Sequence, residues 1–463
     1  MAETEQWIHM VGICGSGMSG IAKILRHQGH QVSGSDLRLN GSAESLSSLG
    51  IKLWEGHSAE HIDPQMDLLV ISSAIKANNP EVQKANAMSI DVIKRGDMLA
   101  RMHNQARGIA VAGAHGKTTT SSMLAVVLSE AGLDPTFAIG GELKGTHINS
   151  RYGGGSFFVC EADESDGSFL ALQPEIAVIT NVEEDHLDHY HSRQSLEKAF
   201  QAFVDGVKPG GIAVLWAGDA YLTQIRVGSQ VQALYYGTAA EDADYYYDHL
   251  ITDGPTSAFE VYYHEECLGQ VQLNLPGVHN VLNALAVVAV GHQLGISWEQ
   301  ITSSLSHFQG ARRRLEITGQ GSGVTVIDDY AHHPTEVEAT LKAVRQFHQG
   351  RMLVIFQPHR FTRTQALGEK FGPAFKESDL LIVTQVYAAG ELPIEGVSGE
   401  MVSRSASAAG INTVYMPNQK DIVPFLLGQI QANDLVLTMG AGDVWETGIE
   451  LCHQLDAVNL NRV

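Results

Sequence analysis

The chain has 463 residues, a formal net charge of −22 from 52 acidic and 30 basic side chains, 44% hydrophobic residues and 47 glycines, which at about 150 residues per domain fits roughly three globular domains. An acidic chain of pI near 5.3 lacks the net basic face that broad binding to nucleic acid or anionic membrane needs, and no apolar run reaches the ~18 residues of a membrane span. The opening MAETEQWIHMVG has no basic stretch of the kind that starts a secretory leader, and Cys14, Cys160, Cys267 and Cys452 lie too far apart for a disulfide scaffold or a CxxC metal knuckle. The expectation is a soluble cytoplasmic protein without nucleic-acid or membrane partners, a monomer or homodimer, that binds any anionic ligand through local amides and a few cations.

Short apolar runs alternate with amphipathic stretches from the start. A strand is expected over 8–13, a helix over 18–28 ending at Gly29, and strands over 31–35 and 68–72. A second start follows at Ile109–Ala112, with a glycine loop, a helix to about Glu130, and strands over 157–160 and 176–180. The stretch 243–272, rich in Tyr, Val and turn residues, reads as further strands of the same domain. A third start comes at 323–328, with a helix over 334–346 and strands over 352–356, 380–384 and 435–439. Boundaries fall near 106 and 313, so the expected domains are 1–106, 107–312 and 313–463.

Two glycine loops carry the chemistry. Gly12-Ile13-Cys14-Gly15-Ser16-Gly17-Met18-Ser19-Gly20 lies between a strand and a helix, where glycines let the backbone approach a diphosphate and the helix start favours an anion. Asp36 closes the next strand, within reach of a ribose hydroxyl. The spacing is not a plain GxGxxG, because Cys14 stands where a glycine is common. A nucleotide sugar and NAD both fit at this point, and so does an unliganded turn.

The second loop is Gly113-Ala114-His115-Gly116-Lys117-Thr118-Thr119-Thr120. Its amides can cradle phosphates, Lys117 can reach the outer phosphates and the Thr118 hydroxyl can hold Mg²⁺. The glycines are separated by two residues rather than the four of the common P-loop. Glu161 opens an acidic run, Glu161-Ala162-Asp163-Glu164-Ser165-Asp166, at a strand end where ligands of open α/β sheets gather. His186 lies in an acidic stretch after another strand. It reads as a solvated helix start, or with His189 and His191 as a zinc site, since Mg²⁺ prefers oxygen donors.

Eight motifs in order resemble the Mur ligases, from about residue 7 to about residue 445. They are the first glycine loop, AHGKTTT, EADESDGSFL (161–170), TNVEEDHLDHY (180–190), GVHNVLNALA (277–286), RRRLE (312–316), DDYAHHPTE (328–336) and PHRFTRT (358–364). The resemblance implies an α/β fold of three domains: an N-terminal Rossmann-like UDP domain, a central P-loop-type ATPase domain and a C-terminal Rossmann-like domain for the amino acid. It implies ATP as co-substrate with Mg²⁺, and ATP-driven joining of L-alanine to the lactyl carboxylate of UDP-N-acetylmuramate through an acyl phosphate.

Residue roles follow from the same resemblance. Gly113, His115, Gly116, Lys117, Thr118, Thr119, Asn280, Asn283 and Arg314 match ATP-binding positions, and Thr118, Glu161 and His186 match the Mg²⁺ ligands. Gly15, Gly17, Met18, Asp36, Ser72 and Ser73 match the UDP-sugar site. Asp329 matches a carboxylate near the nucleotide, and His332, Arg360 and Arg363 match the pocket for L-alanine and the muramyl carboxylate. Lys117, Glu161, His186, Asp329 and His332 are the expected catalytic set. Cys14 and ARRRLE look closer to the branch that joins a whole tripeptide in cell-wall recycling, whereas the stretch from Glu161 to Asn181 and PHRFTRT look closer to the L-alanine branch. Lys198 receives no role.

Overall fold

A computed structural model describes residues 5–146 and 148–460. It contains three sheets, each built mainly of parallel strands. The first has five strands in the order Lys52–Glu55, Gln31–Asp36, Trp7–Val11, Leu68–Ile71, Asp91–Lys94. Trp7–Val11 is central and nearly wholly buried, as expected of an apolar run covered on both faces. The strand expected to reach residue 13 stops at Val11, because Gly12 turns the chain with φ +81°. Gly34 packs so closely that a Cβ there would lie 2.5 Å from the Met10 carbonyl oxygen. The helix Ser16–His27 buries Met18, Ile21, Ala22, Ile24 and Leu25, a one-face spacing.

The second sheet has ten strands. Its parallel heart runs Gln232–Thr238, Ile212–Trp216, Ile176–Ile179, Arg107–Ala112, Phe157–Glu161, Thr136–Ala138. The stretch 243–272 forms three strands, Tyr245–Asp253, Thr256–Tyr263 and Glu266–Leu273, which extend this sheet. The third sheet runs Glu316–Gly321, Val324–Asp329, Leu435–Met439, Met352–Phe356, Leu380–Val383, Thr413–Tyr415, with only the first pairing antiparallel. The fully buried runs Met352–Phe356 and Leu435–Met439 lie where the sequence places them.

In the first two sheets the strand order reverses beside the strand that feeds a glycine loop. This is the switch point at which open α/β sheets bind ligands. The chain divides into two compact units, Met1–Asp248 with Glu260–Gly269 and Asn283–Phe308, and His249–Phe259 with Gln270–Leu282 and Gln309–Val463. Among the described residues no helix is long and apolar enough to cross a membrane.

Candidate active site

The central strand Arg107–Ala112 ends in Gly113 at φ +130°, where a Cβ would lie 2.1 Å from Thr180 Oγ1. The neighbouring strand holds the loop that follows. Ala114 N donates to Asn181 O at 3.1 Å, His115 N to Asn181 Oδ1 at 3.0 Å, and Asn181 Nδ2 to His115 O at 3.1 Å. Gly116, at φ +83°, leads into the helix Lys117–Glu130, and a Cβ on it would lie 2.6 Å from Asn283 Oδ1. Asn283 thus stands against the loop. Thr118 is half-buried and Thr119 is buried in the first helical turn, whose backbone N–H groups have no partner further up the helix and favour an anion.

Lys117 Nζ does not stand free above this loop. It donates to the Gly113 carbonyl and to both carboxylate oxygens of Glu164 at 2.9 Å. Burial works against the Lys117 ammonium, but the charges of Glu164, Asp163 and Glu161 outweigh it and raise its pKa. Glu164 is buried and its backbone oxygen accepts from Tyr190 Oη at 2.6 Å. Sequence reasoning gave Glu164 no role of its own within the acidic run. The available signal was its place in the acidic run beside a lysine-bearing loop.

Glu161, at the end of its strand, accepts from Gly140 N at 2.7 Å and Ser121 Oγ at 3.3 Å. His186 adopts φ +55°, with Nε2 3.5 Å from Asp185 Oδ2 and 4.0 Å from Glu164 Oε1. Its Nδ1 is buried without a hydrogen-bond partner. His115 Nε2 lies 3.5 Å from Glu183 Oε2. The first unit therefore gathers Gly113, His115, Gly116, Lys117, Thr118, Thr119, Glu161, His186 and Asn283 around one loop.

At the first sheet, Gly12 N and Ile13 N donate to Ser35 O at 2.8 and 3.1 Å, and Cys14 N donates to Asp36 Oδ2 at 2.9 Å. Gly15 caps the helix, Gly17 leaves room for Arg95, and Ser72 packs beneath Gly12. Ser73 is exposed beside it. The Met18 side chain is 1% exposed and belongs to the core, which leaves only its backbone to meet any ligand at this loop. The Cys14 thiol is buried as well, and burial raises its pKa, which disfavours the thiolate.

The second unit holds the remaining residues. Asn280 Nδ2 donates to Pro276 O at 2.8 Å. Arg314 Nη1 lies 3.7 Å from Glu336 Oε1, and its guanidinium covers the Tyr330 ring. Burial, reinforced by Arg314, pushes neighbouring His279 down to about 4. Asp329, the carboxylate expected in the catalytic set, lies at the end of the strand Val324–Asp329. It is buried, and its oxygens accept from Leu315 N at 2.8 Å, Ala331 N at 2.9 Å and Thr340 Oγ1 at 3.2 Å, a brace within its own domain.

His332 meets Tyr330 and His359 edge-on, with ring centres 5.4 and 5.7 Å apart. His359 stacks on Tyr387 and its Nδ1 lies 3.2 Å from Arg363 Nη1. Arg360 sits at φ +65° at the head of the helix Phe361–Ala374, and its N donates to Tyr387 O at 2.9 Å. His332 and Arg363 thus share one cluster, joined by His359 and Tyr387, which the sequence reading did not single out. His359 was visible as the second residue of PHRFTRT.

Family models match three consecutive segments: "Mur ligase family, catalytic domain" at 7–107, "Mur ligase middle domain" at 111–291, and "Mur ligase, glutamate ligase domain" at 313–442. The chain belongs to the Mur ligase family. It is 49% identical over 453 residues to a UDP-N-acetylmuramate–L-alanine ligase of Syntrophomonas wolfei, covering 97% of each chain. It is 46% identical to the enzyme of that name from Desulforamulus reducens, covering 98% of each. Among solved structures, a UDP-N-acetylmuramate–alanine ligase of Thermotoga maritima matches with TM-score 0.81 at 28% identity, over 97% of this chain and 99% of that one. A murein peptide ligase of Psychrobacter arcticus matches with TM-score 0.71 at 25% identity, over 97% and 98%.

Proposed function

We propose that the chain joins L-alanine to the lactyl carboxylate of UDP-N-acetylmuramate at the expense of ATP, in the cytoplasm, as an early step of peptidoglycan synthesis. The observation that carries this reading is the full-length identity to L-alanine ligases, 41–49% across the relatives from several genera. It favours L-alanine over the tripeptide of the recycling branch.

In this reading a lactyl carboxylate oxygen attacks the γ-phosphorus, the bond to the β-phosphate oxygen breaks, and ADP leaves. The amine of L-alanine then attacks the acyl carbon, the carbon–oxygen bond breaks, phosphate leaves and the nitrogen loses a proton. Lys117 and the amides at the start of its helix stabilise charge on the transferring oxygens. To do so, Lys117 exchanges a Glu164 oxygen for a phosphate oxygen. Asn283 shapes the loop at Gly116. Arg363, steadied by His359, suits the L-alanine carboxylate, since a guanidinium matches a carboxylate in paired hydrogen bonds.

The donor set fits Mg²⁺ with nucleotide. Thr118 and Glu161 supply oxygens, and His186 has a buried ring nitrogen with no partner. Bound there, Mg²⁺ supplies charge neutralisation at the phosphates.

A heavy-oxygen label in the lactyl carboxylate tests the acyl phosphate. One labelled oxygen is expected in each released phosphate, read by mass spectrometry. Unlabelled phosphate formed together with product overturns the intermediate.

A further inference from the structure

Glu81 is the most deeply buried carboxylate cluster centre of the first sheet, and the reaction as described does not use it. Its side chain is 0% exposed. His61 Nδ1 lies 2.6 Å from Oε1, and Ser35 Oγ donates to Oε2 at 2.6 Å. Ser58 N donates to Oε1 at 3.3 Å, while His57 Nδ1 and His9 Nε2 lie 3.6 and 3.8 Å from Oε2. Trp54 stacks on His61 and meets His9 edge-on, which closes the cluster. Burial alone would raise the carboxyl pKa, but the nearby His9 ring and the hydrogen bonds from Ser35 and His61 outweigh it and hold it at about 2.

A buried ionised group of this kind is a poor route to stability, because apolar residues of the same volume do as well or better. What it supplies is geometry. One carboxylate ties together the first strand through His9, the second through Ser35, the turn after the third through His57 and Ser58, and its own helix Pro80–Ala87. Ser35 is the joint. Its hydroxyl holds Glu81, its carbonyl takes the first two amides of the glycine loop, and Asp36 follows it directly. Gly56 N donates to Asp36 O at 2.7 Å, next to His57. His57 Nδ1 also lies 2.9 Å from Ser35 Oγ.

We propose that Glu81, with His9, His57 and His61, is a positioning residue for the nucleotide-sugar site, setting the glycine loop and Asp36 through Ser35. The inference rests on the reading that this loop binds the UDP-sugar.

The test uses the full chain with Glu81→Gln and, separately, Ser35→Ala, which leaves the carboxylate and its histidines in place. Calorimetry gives the Kd for UDP, and steady-state kinetics give kcat and the KM for UDP-N-acetylmuramate and for ATP. Each variant is expected to raise the UDP Kd and the UDP-sugar KM about tenfold, the size of one charge-assisted hydrogen bond, with kcat and the ATP KM unchanged. Lower thermal stability with wild-type UDP affinity marks a merely structural role and overturns the proposal. If Glu81→Gln does not fold, Ser35→Ala decides alone, and wild-type UDP affinity in it is again fatal. A wild-type chain that binds no UDP instead removes the reading beneath.

Discussion

Replacing Lys117 with alanine lowers kcat/KM for ligation roughly 100- to 1,000-fold, the usual cost of losing one group that meets developing charge. UDP binding at the first glycine loop stays at its wild-type value. The substitution has a second effect that must be separated from the first. Glu164 is 3% exposed and loses its ammonium partner, and an uncompensated buried carboxylate costs about 3–5 kcal/mol. The single variant therefore melts earlier as well as losing activity. Adding Glu164→Gln removes the unpaired charge, so the double variant regains most of the stability and none of the turnover. Phosphate release and thermal melting on both variants check this. Near-wild-type turnover in Lys117→Ala contradicts the assignment of the phosphate loop.

Asp329 gives the second large effect, and it appears as a pH dependence of stability. Burial pushes its carboxyl up to about 6 from an ordinary 3.8, against the opposing pull of Arg314 and the Leu315 and Ala331 amides. The folded chain thus holds this proton more tightly than the unfolded one. The sign follows: the added stability is fully present below about pH 4 and is lost as pH rises through about 6, a difference of about 3 kcal/mol. Asp329→Asn keeps an accepting oxygen and has no proton to lose. Urea unfolding of both proteins at pH 4.5 and pH 7 isolates the group, because other carboxylates titrate alike in the two. The wild-type chain is expected to lose about 2 kcal/mol more than the variant over that interval, since part of the effect is already gone at pH 4.5. Equal losses would show that Asp329 stays ionised in the fold.

The parts of this molecule that local chemistry dictates were legible in the sequence. Both glycine loops stand where a buried strand must turn sharply into a helix, and Gly113 and Gly116 adopt backbone conformations that other side chains rarely reach. The fully buried strands Met352–Phe356 and Leu435–Met439 of the third sheet were placed to the residue, since a nearly continuous apolar run marks a central parallel strand and its ends. Strand ends closed by glycine or polar residues shifted by one or two positions.

What sequence did not reveal depends on tertiary direction. Glu164 turns inward to Lys117 while its neighbours in the acidic run take other partners, and periodicity in a loop does not encode that choice. Asp329 was visible as a carboxylate in a recognisable motif. Its role as a brace depends on Thr340 in the next helix and Leu315 in the preceding turn. The cluster around Glu81 draws His9, Ser35 and the pair His57 and His61 from three separate segments, so no local pattern announces it.

Phosphate release from ATP, with UDP-N-acetylmuramate and either L-alanine or the muropeptide tripeptide as amine, tests the central claim most directly. The account predicts rapid release with L-alanine and little with the tripeptide. Release with the tripeptide alone would contradict it and place the chain in the recycling branch.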